Sequence, residues 1–250
     1  MKKFFTLFLV VSSIVGMTSC EEEDKFDISS SVITISSKET YQIEVTSDNP
    51  VTYTSKNEFH ATVSETGLVT AVFVGETEII VESGGKTKLV KVTVAPKYTI
   101  FETPFIEWGT SKAAIILKFG NNGYENTENN YIDYDGLNAA DVIGTRFIFD
   151  SSNNLNSTAI YLFTEDFTEA ALGLHERYLF LESEETEDGG SMHFFIDALS
   201  LSQAQMYIVA LEVNDDMFAI AYMPIENVTT NRSASVKKGL SADILSRLNR

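Results

Sequence analysis

Apolar and polar side chains alternate with a period of two residues over much of the first hundred positions, and this pattern most constrains the fold. Successive side chains of a strand point to opposite faces of its sheet, so these segments are half-buried strands. Glycine pairs such as Gly84-Gly85 supply the positive φ angles of tight hairpins. The spacing predicts an antiparallel sandwich of about seven strands over residues 27–96. The alternating positions that point inward are Tyr41, Ile43, Val45, Thr77, Ile79, Val81, Val90, Val92 and Val94.

An ordered series of small residues and glycines in this segment is more specific. The series is Tyr53-Thr54-Ser55, Ala61-Thr62-Val63-Ser64, Gly67, Val69-Thr70-Ala71 and Gly75. With these residues in this order, the segment resembles a group 2 bacterial immunoglobulin-like domain. The resemblance implies a β-sandwich found in bacterial surface proteins, in which some members are adhesins and many are spacers. His60 stands where the family usually has a branched apolar residue, and we expect it on a strand surface rather than in a ligand site.

Helical periodicity appears after Pro96 and the Lys97-Tyr98 link. One helix is predicted to be capped at Gly109-Thr110 and to end at Gly120. Another is predicted to begin near Asp166, with Glu169 completing a capping box. The predicted apolar faces are Ala113, Ala114, Ile116 and Leu117 in the first helix, and Phe167, Ala171, Leu174 and Tyr178 in the second.

Strands are predicted after each helix, at residues 131–134, 145–150, 157–163, 192–196, 206–213 and 217–223, with residues 182–188 as a solvated loop. The order of helix, strand and hairpin therefore occurs twice. Residues 98–231 are predicted to be an α+β domain, an antiparallel sheet with helices on one face and two repeats. Trp108-Gly109 with Ser111, and Glu176-Arg177-Tyr178, resemble a C-terminal domain of immunoglobulin-like bacterial lipoproteins of unassigned function. That resemblance implies no activity.

The amino terminus predicts export. Lys2 and Lys3 precede an apolar run over residues 4–17, which is shorter than the roughly 20 residues that span a bilayer and is typical of a signal peptide. Met17-Thr18-Ser19-Cys20 resembles the lipobox of bacterial lipoproteins, with Met17 in place of the usual Leu. The resemblance implies loss of residues 1–19 and attachment of acyl chains to Cys20. A plain secretory signal followed by an unmodified, buried cysteine is the alternative.

Residues 20–26 are predicted to be a solvated tether, because Glu21-Glu22-Glu23-Asp24 is a block of like charges. The block resembles the acidic export signal of surface lipoproteins in some Gram-negative bacteria. This resemblance implies a lipid anchor in the outer membrane and exposure at the cell surface. A spacer with no sorting role is the alternative.

Charge and composition narrow the function classes. The chain has Lys+Arg 18 against Asp+Glu 36, so its formal net charge of -18 disfavours nucleic acid as a partner. One cysteine cannot form an internal disulfide, and three histidines offer no Cys/His zinc cluster. Residues 101–231 hold 22 acidic residues against four basic ones, so the imbalance is concentrated there.

The segment 232–250 has the opposite charge, with five basic residues and one acidic one. Leu240, Ile244, Leu245 and Leu248 share one face of a predicted short helix. We expect this helix to dock on the acidic domain, with a separate partner or a membrane as alternatives.

Residues that could form catalytic or metal sites do not occur in the arrangement that such sites require. Ser191, His193 and Asp197 share one side of a predicted strand only because of their odd spacing, whereas a catalytic triad converges from separate elements. His175 is expected to be a solvated helical residue. Asp133-Tyr134-Asp135-Gly136 resembles the start of a calcium loop, but the closing glutamate is missing. We predict no catalytic residue, no cofactor and no metal site.

Trp108, Tyr124, Tyr131 and Tyr134 lie close together in the sequence and could present rings to a sugar, although core packing explains them better. The hypothesis from the sequence is a non-enzymatic lipoprotein. In it, an immunoglobulin-like spacer presents an α+β domain that binds a glycan or an extracellular protein. A purely architectural envelope component is the second hypothesis, and an enzyme is the third.

Overall fold

The computed structural model describes residues 24–137, 139–185 and 189–225. The predicted signal peptide, Cys20, most of the acidic tether and the segment 232–250 lie outside the described residues.

Residues 26–95 form an N-terminal sandwich of nine strands. One sheet has the order β2-β9-β8-β5 and another the order β3-β7-β6, while β1 pairs with β4. β2 and β9 run parallel, so the prediction of a purely antiparallel sandwich is wrong at this pair. The strands are β1 Phe26–Ile28, β2 Val32–Ser36, β3 Thr40–Gln42, β4 Val45–Ser47, β5 Val51–Ser55, β6 Ala61–Val63, β7 Leu68–Ala71, β8 Gly75–Ser83 and β9 Lys86–Ala95.

The core of the sandwich confirms the period-two pattern. Ile79, Val81, Val90 and Val92 from the larger sheet pack against Val69 and its neighbours from the smaller one. Gly84 and Gly85 have φ values of 54° and 75° and turn the chain between β8 and β9. Alternating positions are buried because each strand presents one side to the facing sheet.

The predicted strand around Ile43 is divided in two, which explains part of the excess over seven strands. The backbone N–H of Ile43 donates to Gly67 next to β7, whereas the carbonyl of Glu44 accepts from Ser29 next to β1. The chain thus changes its neighbouring strand between these two residues. The side-chain alternation continues through the change, so sequence periodicity alone does not reveal it.

The second domain, residues 98–225, is mostly β-structure. Its helices are α1 Lys112–Phe119 and α2 Phe167–Arg177, and a 3-10 turn at Thr164–Asp166 precedes α2. Its strands are β10 Tyr124–Asn126, β11 Tyr131–Asp135, β12 Gly144–Phe149, β13 Leu155–Phe163, β14 Leu179–Glu185, β15 Ser191–Ile196, β16 Met206–Asn214 and β17 Met217–Pro224.

These eight strands form one antiparallel sheet with the order β10-β11-β12-β13-β17-β16-β15-β14. Each half of the sheet is a helix followed by four strands, and the last strand of each half pairs with the other at the centre. The order of one helix and four strands therefore occurs twice, and the two halves meet at the β13–β17 pair. The predicted α+β class is confirmed only in part, since two short helices accompany eight strands.

Both helices cover the same face of this sheet, which we call the helix face. Leu174 of α2 packs with Ile160, Ile220 and Tyr222, and Ile115 of α1 packs with Phe147. Thr145 pairs directly with Ile160, so their side chains lie on the same side of the sheet. Phe147 lies two residues after Thr145 on β12, so its cluster lies on that side as well.

The predicted details of the helices need correction. The cap of α1 is Ser111, whose hydroxyl accepts from Ala114, rather than Gly109-Thr110. Ile115 is its fully buried residue, while Leu117 of the predicted apolar face is 88% exposed. Asp166 makes no side-chain cap bond, so the predicted capping box is absent from α2. Gly120 does end α1 with a positive φ of 100°.

Two strands were missing from the prediction. Residues 182–185 of the predicted loop belong to β14, which pairs with β15, and β10 pairs with β11. Both lie at the edges of the sheet, where a strand has one neighbour and can carry many polar residues. The acidic run at Glu182, Glu184 and Glu185 therefore concealed a strand.

Candidate functional site

The structure separates the residues of the candidate triad. Ser191 lies opposite Glu185, and the Nδ1 atom of His193 lies 2.7 Å from Ser183 Oγ. Asp197 Oδ1 accepts from the backbone N–H groups of Gln205 and Met206. Asp197 therefore fastens a turn and does not orient His193.

Ser183 and His193 are direct cross-strand neighbours on the helix face. His193 packs near Phe167, with ring centroids 5.6 Å apart. Burial lowers the pKa of His193, while the charge of Glu212 opposes the shift. The pair follows from the register of β14 and β15, and no convergent third element orients it among the contacts described.

The candidate calcium loop lies on a strand. Asp133 is in β11, and its two carboxylate oxygens accept from Arg146 Nε and Nη2 at 2.8 and 2.9 Å. Within the described ranges, no group of three or more His, Cys, Asp or Glu side chains could hold a metal ion. No helix in the described part of the chain is long and apolar enough to cross a membrane.

Most of the aromatic residues near Tyr131 belong to the core. Tyr131 and Tyr134 are 7% and 4% exposed, and Trp108 packs between the two clusters of the helix face. Tyr124 is 66% exposed. The rings thus do not form a common sugar-facing platform.

His60 does not lie on a strand surface, which corrects the prediction. It belongs to a turn before β6, and its Nδ1 atom lies 3.3 Å from the carbonyl of Phe73. A Cβ atom on Gly75 would lie 2.2 Å from the ring of His60. His175 is exposed on α2, as expected, with its ring near Phe180 and Phe195.

The best-organised polar cluster joins the two domains. The Glu176 carboxylate accepts from the backbone N–H of Lys97 at 3.0 and 3.2 Å and from that of Tyr98 at 3.0 Å. Glu176 is 5% exposed, so these bonds are formed away from bulk water. A charged acceptor makes such bonds stronger than neutral ones.

Arg177 completes the cluster, which we call the junction clamp (Glu176 and Arg177 with residues 97–101). Its Nη1 donates to Glu176 Oε1 at 2.9 Å, and its Nη2 donates to the Tyr98 carbonyl at 2.9 Å. The guanidinium also lies over the Phe101 ring at 4.9 Å. A buried charge pair is tolerated when further hydrogen bonds satisfy both groups, and this pair meets that condition.

The sandwich also binds the end of α2 directly. The backbone N–H of Val74, just before β8, donates to the Glu176 carbonyl at 2.8 Å. Carbonyls in the last turn of a helix lack partners within the helix. The sandwich therefore acts as part of the C-terminal cap of α2.

The sequence contains Glu176-Arg177 as a motif but does not reveal which groups it binds. One further signal was Gly173 in the interior of a helix, where glycine is unfavourable. A Cβ atom there would lie 3.1 Å from Phe101 and 3.3 Å from Arg177 Nη1. Glycine at 173 thus allows the linker to approach α2.

The chain enters the sandwich at the end remote from this clamp. The backbone N–H of Lys25 donates to the Asp48 carboxylate, and the Lys25 carbonyl accepts from the backbone N–H of Asp48. Lys86 Nζ donates to the Asp24 carbonyl at 2.9 Å. Lys86 begins β9 beside the hairpin turn, whereas Gly75 begins β8 beside the clamp. The nine residues of β8 separate the two ends by about 27 Å.

A cleft of about 480 Å³ lies beside the junction. Asn57 and Phe59 of the sandwich line one side, and Asp197, Gln203 and Gln205 line the other. Phe59 is 9% exposed and stacks on Phe73, so it offers little free ring surface.

The comparisons with known proteins concern mainly the sandwich. Residues 27–94 match the family model of the bacterial Ig-like domain (group 2). Residues 27–94 are therefore similar to this family, and we call this sandwich the Ig-like domain. Its residue range agrees with the resemblance seen in the sequence, and a mostly β domain follows it. No curated protein matches the chain.

Solved S-layer structures show only a faint likeness. "Structure of surface layer protein SbsC, domains 1-6" is 13% identical, covers 76% of this chain and 25% of its own, and has a TM-score of 0.27. "Structure of the S-layer protein SbsC, domains 5-6" is 15% identical, covers 82% and 100%, and also has a TM-score of 0.27. This chain therefore spans about a quarter of the first of these structures. Scores this low carry no argument about fold or function.

Proposed function

We propose that this protein is a non-catalytic, surface-associated architectural component in which the Ig-like domain is a rigid spacer. One observation carries the proposal: the chain enters the Ig-like domain at one end, and the second domain is clamped at the other. The clamp buries a charged pair and bonds it to the linker backbone, so a free hinge at residues 97–98 would leave these groups unsatisfied.

We place the anchor at Cys20, acylated after removal of residues 1–19, in the outer membrane with the chain at the cell surface. Phe26 begins the first strand six residues later, and six residues reach at most about 20 Å. The Ig-like domain would then stand close to the membrane and hold the second domain beyond it.

Rigidity is tested by the distance between spin labels on the two domains. Exposed Glu65 and Asp215 are replaced by labelled cysteines in the mature chain carrying Cys20→Ser. We expect a narrow distance distribution that broadens in Glu176→Ala and stays narrow in Glu169→Ala, a matched change on the exposed side of α2. A broad distribution without the clamp substitution would contradict the proposal.

Anchoring needs a separate test. Mass spectrometry of the protein from its own envelope should find a chain that begins at an acylated Cys20, and Cys20→Ser should release it from the membrane fraction. Protease added to intact cells should digest the wild-type protein. An unprocessed start or a bare thiol would overturn the anchor, and full protection from protease would place the chain inside the envelope.

Binding of a glycan or an extracellular protein is the second candidate function, and the junction cleft is the place that favours it. Amide side chains of Asn57, Gln203 and Gln205 line this cleft, and its volume is in the range of ligand sites. An array of glycans and extracellular proteins is probed with the mature chain and with Gln203→Arg. Binding that Gln203→Arg abolishes would support this function, and an array without signal would leave only the architectural one.

A further inference from the structure

The sheet of the second domain has a second apolar cluster on the side away from its helices, which we call the opposite face. Its most central members are Ala159, Val209, Leu211, Ala219 and Ala221, all 0–2% exposed. Among the described residues, the cluster consists of strand residues alone, whereas the clusters of the helix face include residues of α1 and α2. Apolar side chains this well buried on a sheet face call for a covering layer.

The shape of the opposite face fits a helix. Ala159 of β13 pairs directly with Ala221 of β17, and Ala219 lies two residues before Ala221 on β17. These small residues form a shallow trough over the central strands. Larger cluster members stand on either side of it, including Tyr131 from β11 and Phe194 from β15.

Polar groups on this face also lack partners. The Ser157 and Tyr161 hydroxyls are buried and have no hydrogen-bond partner in the part of the chain that the structure describes. Burial raises the pKa of Tyr161 to about 12, against the nearby charge of Arg146. A covering segment with polar groups would satisfy these hydroxyls, since buried hydroxyls in folded proteins are nearly always bonded.

Acidic residues border the opposite face at its β14 edge. Leu181 packs against the cluster, and Glu182 and Glu184 lie opposite Phe194 and Met192, which are cluster members. The surrounding residues 101–231 contain 22 acidic residues and four basic ones. A covering segment should therefore be basic as well as apolar.

Residues 226–250 have this character and begin at a suitable point. The fifth strand of the eight, β17, ends at Pro224 near the middle of the sheet. From there the farthest edge is about 20 Å away at about 4.8 Å per strand. The 14 residues at 226–239 reach farther than this when extended. They are followed by Leu240, Ile244, Leu245 and Leu248, which share one face of a helix, and five basic residues lie within 232–250.

We infer that residues 240–248 pack as a helix on the opposite face of the same chain. The apolar side of this helix lies on the trough of small residues. The five basic residues of 232–250, of which Arg247 belongs to the helix itself, lie towards Glu182 and Glu184. The segment is thus an integral layer of the second domain, which becomes a sheet covered on both faces.

Photocrosslinking in the full mature chain tests where the segment lies. A benzophenone amino acid replaces Leu181 on the opposite face or, as a matched control, Leu172, which is 43% exposed on α2. We expect Leu181 to give intramolecular crosslinks to residues 240–248 and Leu172 to give none. Crosslinks from Leu181 that fall elsewhere, or that join two copies in a dimer, would overturn the inference.

A second test changes only the segment, so it does not disturb the sheet itself. Ile244→Asp with Leu248→Asp places two charges on the apolar side of the predicted helix, and Ala242→Asp with Ser246→Asp places two on its other side. The first variant should lose most of the Leu181 crosslink and bind more of a dye for apolar surfaces, while the second keeps the wild-type values. Equal behaviour of the two variants would contradict docking through the apolar side.

Discussion

The carboxylate of Glu176 accepts the backbone N–H of Lys97 across the boundary between the two domains, at 3.0 Å from one of its oxygens. It is the side chain of a helix in the second domain that fixes the start of the linker. Because the same carboxylate also accepts from Tyr98 and Arg177, a single substitution removes the acceptor of all three groups.

Replacing Glu176 with Ala should destabilise the protein by about 3–5 kcal/mol, since Arg177 is then left as a buried charge without its partner. The loss should also separate the unfolding of the Ig-like domain from that of the second domain. Urea unfolding followed by circular dichroism and by the fluorescence of Trp108 measures both effects. Glu169→Ala serves as the control, and a loss in Glu176→Ala no larger than in this control would refute the clamp.

Gly75 should not tolerate alanine. Its φ of 144° is unfavourable for other residues, and a Cβ atom would meet the His60 ring. We expect Gly75→Ala to cost about 3 kcal/mol, from backbone strain together with overpacking. Gly85 also has a positive φ, but the space around it is open. Gly85→Ala should therefore cost only about 1 kcal/mol, from backbone strain alone.

Adding His60→Ala to Gly75→Ala should recover part of the loss, because it removes the ring and leaves only the backbone strain. Thermal melts of the single and double variants measure this. An additive result would show that the ring does not limit the position.

Arg146 and Asp133 should be strongly coupled. Two hydrogen bonds join them, and the guanidinium lies 3.8 Å from the centre of the Tyr131 ring. A double-mutant cycle with alanine should give a coupling energy of about 1–3 kcal/mol. The exposed Lys56–Glu78 pair of the Ig-like domain is the comparison, and its coupling should stay below about 1 kcal/mol. Equal coupling in the two pairs would contradict the expected strength of the partly buried Arg146–Asp133 pair.

His193 should make the protein less stable in mild acid. Burial lowers its pKa from the ordinary value of 6.5, so the unfolded chain takes up the proton at a higher pH than the folded one. Its contribution is complete above about pH 7.5 and is lost as the pH falls through 6.5 towards the lower folded pKa. The pKa of the more exposed His175 is also lowered, by partial desolvation of its ring and by the charge of Lys38.

His193→Gln should therefore show a smaller fall in melting temperature between pH 7.5 and 5.5 than the wild type. Adding His175→Gln should reduce the fall further. Melting curves in a series of buffers at constant ionic strength measure the slope. Parallel slopes for wild type and variants would mean that these histidines titrate alike in both states.

Local patterns predicted the regular elements well where one face of an element meets a core. The strands at Tyr131, Met206 and Met217 were predicted within a few residues because they alternate or are continuously apolar. The helix α1 was placed correctly but rotated: Ile115 is buried instead of Leu117, since the position of the sheet decides which side of a short apolar helix faces inward. β14 was missed because an edge strand gains its stability from one neighbour, β15, and can keep acidic side chains.

The site at the domain boundary shows the same division. The sequence marked Glu176-Arg177-Tyr178 as unusual but could not assign it a partner, because Lys97 and Val74 are 79 and 102 positions away in the chain. Spacing along one strand disfavours the candidate triad, and the missing closing glutamate disfavours the calcium loop. The structure then gave their residues other tasks, with Asp197 in a turn and Asp133 bound to Arg146.

By itself, the sequence determined the alternating strands, the Ig-like character of residues 27–94 and the concentration of negative charge after residue 100, because each depends on neighbouring residues or on simple sums. Only the tertiary structure decided how the two domains meet, which face of the second sheet carries the helices, and where Glu176 finds its donors. Those features arise from contacts between residues far apart in the chain, and the free energy that selects them is that of packing and burial, which local periodicity does not contain.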